Sequence, residues 1–163
     1  MRTRLHQIVA DMAARRPDAP ALTYKDQTAT YAELWELANG FAAGVGDLGL
    51  ARGERIGLLL DKRIETVASV IGSSAGGGVF VPINPLLKGA QVAYIVDDCD
   101  VRVLVTTAQR YELMREDLAS CASLKHVVVL PWNDADACAK ILEKQGSDIA
   151  ALLIGRASCR ERV

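Results

Sequence analysis

The chain has 163 residues, half of them hydrophobic, and a formal net charge of −1 at pH 7. This length and apolar content suit one globular domain with its own core and exclude an intrinsically disordered chain. Acidic and basic residues are interspersed along the sequence, which therefore predicts neither a nucleic acid nor an acidic membrane as a partner. No apolar run reaches the roughly 20 residues of a membrane span, and the basic start lacks the apolar stretch of a signal peptide. We expect a cytoplasmic protein.

The first part of the chain predicts two helices and a hairpin. A helix is expected from the spacing of its apolar face and must end before Pro17, whose ring disfavours a helical residue before it. The apolar face of that helix consists of Leu5, Ile8, Val9, Met12 and Ala13. Residues 21–24 and 27–30 then suit a hairpin. A second helix begins where Thr30 and Glu33 form a capping box, and Gly46 or Gly49 can end it.

From residue 55 onward, strands and helices alternate. Asp61 is placed to cap a third helix, which residues 76–78, all glycine, must break. The predicted strands are residues 55–60, 79–81, 101–105 and 126–130. Such alternation predicts parallel strands joined by right-handed crossovers. The expected fold is therefore α/β, a layered parallel sheet with helices on both faces. A further helix over 135–144 and an apolar run over 149–154 follow.

One glycine pattern has the letters of a dinucleotide-binding loop, G-x-G-x-x-G. It consists of Gly44, Gly46 and Gly49. That loop works when a strand precedes the glycines and a helix follows, because the start of the helix then faces the pyrophosphate. Here a predicted helix precedes and a predicted strand follows, so we interpret these glycines as the end of a helix.

Other polar groups also have simpler explanations than chemistry. Residues 73–78 are rich in serine and glycine but lack the Gly-Lys-Ser/Thr of a phosphate loop. Asp97, Asp98 and Asp100 lack the ligand pattern of a calcium loop and fit a solvated helix end. The four cysteines and two histidines are too scattered to predict a zinc site or a catalytic triad. We expect reduced thiols, and the residues alone assign no catalytic, cofactor-binding or metal site.

Several segments, in the right order, nevertheless match known motifs. Pro17-Asp-Ala-Pro-Ala-Leu22, Thr30-Tyr-Ala-Glu-Leu34, residues 48–56 and residues 76–85 resemble successive motifs of the adenylate-forming superfamily. This superfamily includes acyl-CoA synthetases, peptide-synthetase adenylation domains and luciferases. Residues 61–66 and 81–88 further resemble the acyl-CoA ligases associated with exosortase systems.

The resemblance implies an AMP-forming acid–thiol ligase of fatty acid metabolism. Such an enzyme activates a carboxylic acid with ATP and Mg²⁺ to an acyl-adenylate and transfers the acyl group to coenzyme A. In the family, the phosphate loop, the later acidic motif, the hinge and the lid with its lysine all follow the region resembled here. The resemblance therefore carries no catalytic residue to this chain, which by itself is expected to be inactive and to bind no cofactor.

Two other interpretations stay open. A peptide-synthetase adenylation domain shares these motifs but passes its acyl group to a carrier protein. A stand-alone binding module would not catalyse at all.

Residues 154–163 carry three arginines and one glutamate, a net charge of +3 − 1 = +2, and their letters resemble a translated sequencing adapter. We therefore interpret residues 1–153 as a partial AMP-binding amino-terminal domain and residues 154–163 as a non-native tail.

Overall fold

The computed structural model describes residues 4–130, which form five helices and six strands. In chain order these are α1 (Leu5–Arg15), β1 (Pro20–Tyr24), β2 (Gln27–Thr30), α2 (Tyr31–Asp47), β3 (Arg55–Leu58), α3 (Ile64–Ala75), β4 (Val79–Pro82), α4 (Gly89–Asp98), β5 (Val101–Thr107), α5 (Ala108–Leu118) and β6 (His126–Leu130). Each helix and strand predicted within this range is present. The predicted helix at 135–144 and the apolar run at 149–154 lie outside the described residues.

The described residues divide into two compact units. The first takes in the chain up to Gly53 together with Asp61–Phe80, and the second takes in Glu54–Leu60 and the chain from Val81. No helix among the described residues is long and apolar enough to cross a membrane.

The second unit is organised around a parallel sheet. The strand order is β4-β3-β5-β6, and β5 pairs in parallel with both β3 and β6. The expected α/β class with a parallel sheet is thus confirmed. Helices α4 and α5 contribute to the core of this unit, which contains Leu59, Ile83, Val92, Val96, Val101, Leu104, Tyr111, Met114, Leu118, Cys121, Val127 and Val129.

In the first unit, β1 and β2 pair antiparallel and α2 follows directly. The predicted capping box is confirmed: the Thr30 hydroxyl accepts from the Glu33 amide at 3.3 Å, and the Thr30 amide donates to the Glu33 carboxylate at 2.9 Å. Helix α2 ends at Asp47, and Gly49 takes the left-handed φ of 76° expected of a residue that ends a helix.

The expected cap at Asp61 is wrong. Helix α3 begins later, at Ile64, and its N-cap is Arg63, which makes no side-chain cap. The backbone carbonyl of Asp61 instead accepts a hydrogen bond from the Thr66 hydroxyl at 2.7 Å. Residues 61–63 thus form a short irregular segment before α3. Thr66, in the first turn of α3, bonds to the backbone of Asp61, the residue that was expected to cap this helix.

Helices α2 and α3 approach each other closely through small residues. Ala38 on α2 and Ala68 on α3 are fully buried. A Cβ atom added to Gly72 would lie 2.5 Å from the Ala38 carbonyl oxygen and 2.8 Å from Cδ1 of Phe41. Only glycine therefore fits this helix contact without a shift of the α2 backbone.

We predict that Gly72→Ala destabilises the chain by about 2 kcal/mol, because the added methyl group overpacks a contact with backbone. The matched control is Gly46→Ala in α2, where an added Cβ has no atom within 4 Å. Since alanine is the better helix former, Gly46→Ala should be neutral or stabilising by up to about 1 kcal/mol. Urea unfolding followed by circular dichroism measures both variants, and a Gly72→Ala variant as stable as the parent would contradict the packing described.

Candidate functional site

In open α/β sheets, ligands bind beyond the carboxyl ends of the parallel strands. In the second unit this edge is formed where β3, β4 and β5 end. The amide of Leu59, just after β3, donates to the Val105 carbonyl at 2.9 Å, and the amide of Ile83, just after β4, donates to the Leu58 carbonyl at 3.0 Å. These bonds extend the sheet by one residue and hold its carboxyl edge in register.

The polar side chains at this edge organise the backbone. The Asn84 side-chain oxygen accepts from the Leu86 amide at 3.0 Å, and its backbone carbonyl accepts from the Leu87 amide at 3.2 Å. These two bonds turn the chain from β4 toward α4. At the end of β5, the Thr107 hydroxyl accepts from the Arg110 amide at 3.4 Å and so caps α5. Asn84 and Thr107 thus connect sheet and helices.

Thr106 is different, because its hydroxyl is buried without a partner. The residue is fully buried, and its Oγ1 atom makes no hydrogen bond. In the sheet it pairs with Val129 of β6, and the alternation of side chains along β5 puts it on the same face as Leu104 in the apolar core. A buried hydroxyl without a partner costs stability. Sequence patterning did not distinguish Thr106 from its apolar neighbours.

The glycines of the dinucleotide-like pattern lie in or directly after α2. Gly44 and Gly46 belong to the helix, and Gly49 follows it before β3 begins. The strand-then-helix arrangement that phosphate binding requires is absent from this part of the described chain. The serine- and glycine-rich residues 73–78 similarly end α3, and Gly77 has a φ of 79°.

The acidic residues near the end of α4 form part of a helix end. Asp100 has a left-handed φ of 47° and pairs with Arg55, whose Nη2 atom lies 2.9 Å from the carboxylate. The Arg55 Nε atom also donates to the Cys99 carbonyl at 2.8 Å. Arg55 thereby ties the start of β3 to the end of α4. Within residues 4–130, no group of three or more histidine, cysteine and carboxylate side chains could hold a metal ion.

The remaining candidates are the histidines and cysteines. His6 Nδ1 lies 3.0 Å from the Ser74 hydroxyl and joins α1 to α3, while His126 begins β6. Cys99 and Cys121 are free thiols, and Cys138 and Cys159 lie outside the described residues. Burial, with a smaller contribution from the negative charge of Asp97, raises the pKa of the Cys121 thiol. A raised pKa lowers the thiolate fraction, which makes Cys121 a poor nucleophile at neutral pH.

Comparison with known proteins identifies the family of this fold. A family described as AMP-binding enzyme matches residues 9–154. Surfactin synthase subunit 1 of Bacillus subtilis (strain 168) is 36% identical over 101 residues, which are 62% of this chain and 3% of that protein.

Solved structures share the fold as well as sequence. The anthranilate CoA ligase AuaEII, determined in complex with anthranoyl-AMP, is 30% identical with a TM-score of 0.74, over 78% of this chain and 25% of that chain. A fatty acyl CoA synthetase of Mycobacterium tuberculosis is 26% identical with a TM-score of 0.72, over 86% of this chain and 28% of that chain. The chain thus spans about a quarter of these ligases and a far smaller share of the peptide synthetase.

Two adjacent threonines allow a test of the geometry at the sheet edge. Thr106→Val should stabilise the chain by about 1 kcal/mol, because it removes a buried hydroxyl that has no partner and keeps the shape of the side chain. Thr107→Val should destabilise the chain by about 1 kcal/mol, because it removes the cap of α5. Urea unfolding compares the two variants with the parent. A loss of stability in Thr106→Val would show that its hydroxyl is bonded.

Proposed function

Since the chain belongs to the AMP-binding enzyme family, we propose that it is the amino-terminal part of the large domain of an AMP-forming acyl-CoA ligase. The complete enzyme would activate a carboxylic acid with ATP and pass the acyl group to coenzyme A. The observation that carries this choice is the likeness to the CoA ligase AuaEII, at 30% identity and a TM-score of 0.74.

The proposed reaction has two steps. A carboxylate oxygen attacks the α-phosphorus of ATP, the bond from that phosphorus to pyrophosphate breaks, and an acyl-adenylate results. The thiolate of coenzyme A then attacks the acyl carbon, and AMP leaves. The anthranoyl-AMP bound to AuaEII is an acyl-adenylate of this kind. Both steps develop negative charge, which magnesium and positioned donors would stabilise when bound.

We propose that the described residues do not themselves bind these groups. Residues 4–130 offer no cluster of carboxylate, histidine and cysteine side chains for a metal ion. The polar side chains of Asn84 and Thr107 at the sheet edge accept hydrogen bonds from backbone amides. We therefore assign ATP, Mg²⁺ and coenzyme A to no residue in this range. The role proposed for this part of the chain is to build and support the sheet.

A second candidate function rests on a different observation. Surfactin synthase subunit 1 is 36% identical to this chain over 101 residues, which favours an adenylation domain of a peptide synthetase. Such a domain would form the same acyl-adenylate but transfer the acyl group to a carrier-protein thiol. The two candidates therefore share the first step and differ in the acceptor. A stand-alone module that only binds is a third alternative, and it predicts neither step.

The activity of the chain alone is a separate part of the proposal. The match to AuaEII covers 25% of that ligase, so three quarters of a complete ligase has no counterpart in the alignment. We propose that residues 1–153 are a partial domain, that residues 154–163 are a non-native tail, and that the 163-residue chain forms no acyl-adenylate. We also propose that the reaction occurs in the cytoplasm, where ATP and coenzyme A are available.

Exchange of labelled pyrophosphate into ATP tests the first step. With a panel of aromatic and fatty acids, the 163-residue chain should give no exchange above a heat-killed control. A chain extended to the length of the matched ligases should give acid-dependent exchange. Acid-dependent exchange by the 163-residue chain would contradict the proposal for the chain alone. A lack of exchange by the extended chain would favour the stand-alone module.

The second step separates the two enzyme candidates. The extended chain should form an acyl-CoA thioester, detected by mass spectrometry, when coenzyme A is added after adenylation. If only a carrier protein bearing a phosphopantetheine thiol accepts the acyl group, the adenylation-domain candidate replaces the CoA ligase.

A further inference from the structure

Helix α1 turns two apolar side chains outward. None of its residues is buried, although its apolar spacing predicts a packed face. Leu5 and Ile8 are 44% and 54% exposed, whereas Val9, Met12 and Ala13 are half-buried. The side of α1 that packs against the protein is therefore narrower than the apolar face predicted from the sequence. Leu5 and Ile8, two large aliphatic residues of that predicted face, are exposed to solvent.

Basic residues share this exposed side. Arg4 immediately precedes α1 and Arg15 is its last residue, and both are exposed. Arg4 lies four residues before Ile8 and Arg15 seven residues after it, so helical spacing puts all three on one side. Leu5, three residues before Ile8, adjoins them. Asp11, three residues after Ile8 and four before Arg15, is exposed and lies on the same side. We call this surface, made of Arg4, Leu5, Ile8, Asp11 and Arg15, the α1 face.

The charge of this region is positive, unlike that of the chain as a whole. Residues 4–16 contain Arg4, Arg15 and Arg16 against Asp11, a net charge of +3 − 1 = +2. Within the described part of the chain, none of these arginines forms a salt bridge. Charges are interspersed along the whole sequence, but in the folded helix Arg4 and Arg15 lie beside the exposed side chains of Leu5 and Ile8.

The orientation of α1 is held from its other side. His6 Nδ1 lies 3.0 Å from the Ser74 hydroxyl of α3. His6 and Val9, both half-buried, lie about a quarter to half a turn away from Ile8 around the helix. Because this side packs in the first unit, the α1 face is presented outward as a fixed surface.

We propose that the α1 face docks on the headgroup region of an anionic phospholipid bilayer. Amphipathic helices bind in this way when aliphatic side chains enter the boundary between headgroups and acyl chains and basic side chains contact lipid phosphates. The long stems of Arg4 and Arg15 allow their guanidinium groups to reach phosphate while Leu5 and Ile8 insert. A second copy of the chain fits less well, because each face carries a net charge of +2 − 1 = +1 and like net charges repel.

The expected binding is weak and reversible. Two aliphatic residues insert little apolar surface, and each basic residue near an anionic membrane contributes about fivefold in affinity. Such binding depends on the anionic lipid content and falls as salt screens the charges. Docking of this kind requires no membrane-spanning segment.

Co-sedimentation of the 163-residue chain with lipid vesicles tests the proposal. The chain should bind vesicles of phosphatidylcholine with about 30% phosphatidylserine at least tenfold better than phosphatidylcholine alone, and about 0.5 M NaCl should release it. The double variant Leu5→Ser/Ile8→Ser should lose about tenfold in partitioning. Arg4→Gln/Arg15→Gln should lose at least tenfold, from about fivefold for each arginine.

Matched controls come from α5 in the second unit. Leu113, 77% exposed, and Arg115, also exposed, allow a control Leu113→Ser/Arg115→Gln, which should partition like the parent. All variants retain residues 154–163, so the three arginines of that segment contribute equally to each. Circular dichroism verifies that each variant is folded.

Three results would overturn the proposal: no binding by the parent chain, equal binding to neutral and anionic vesicles, or an equal loss in the α5 control. A parent that elutes as a dimer and becomes a monomer on Leu5→Ser/Ile8→Ser would also overturn it, since the α1 face would then bind a second copy.

Discussion

The described structure depends on the parallel pairing of β5 with β3 on one side and β6 on the other. Val103, Leu104 and Val105 at the middle of β5 have no exposed surface. A buried backbone amide or carbonyl without a partner costs stability, so these residues require hydrogen bonds to strands on both sides. Parallel neighbours in turn require crossover connections, which α4 and α5 supply.

The same constraint determines where polar chemistry is possible. Apart from Arg102, the residues of β5 are apolar until Thr106 and Thr107 at the carboxyl end, where helix α5 begins. Thr107 has a structural partner in the α5 backbone, whereas the Thr106 hydroxyl has none. Under the proposed function the chain supports a longer domain, and the polar side chains described at the sheet edge are engaged in capping and turns. Because the described polar residues serve structure, the sequence indicates the family without indicating a catalytic residue.

The sequence predicted the elements whose causes are local. The Thr30–Glu33 capping box needs only two side chains one helical turn apart, and the strand at 101–105 is a continuous run of mostly β-branched residues. Both features depend on residues close to one another in sequence. The strand order and register could not be read in the same way, because they depend on contacts between segments far apart in sequence.

The failures have two physical origins. Asp61 is a good N-cap residue, but Thr66, five residues further on, bonds to its carbonyl and α3 starts later. Leu5 and Ile8 fit the apolar periodicity of α1, yet the packing of the first unit uses only part of that face. The unpartnered hydroxyl of Thr106 depends on neighbours from another strand. Tertiary packing decided the last two cases, whereas a bond between near neighbours in sequence decided the first.

The gene itself tests most directly the proposal that this chain is part of a longer adenylate-forming enzyme. Long-read sequencing of the locus should show an open reading frame that diverges from the present sequence after Leu153. It should continue into an aromatic residue and a Thr-Ser-Gly-rich phosphate loop. A natural stop codon directly after Val163 would contradict the claim and would favour a stand-alone module.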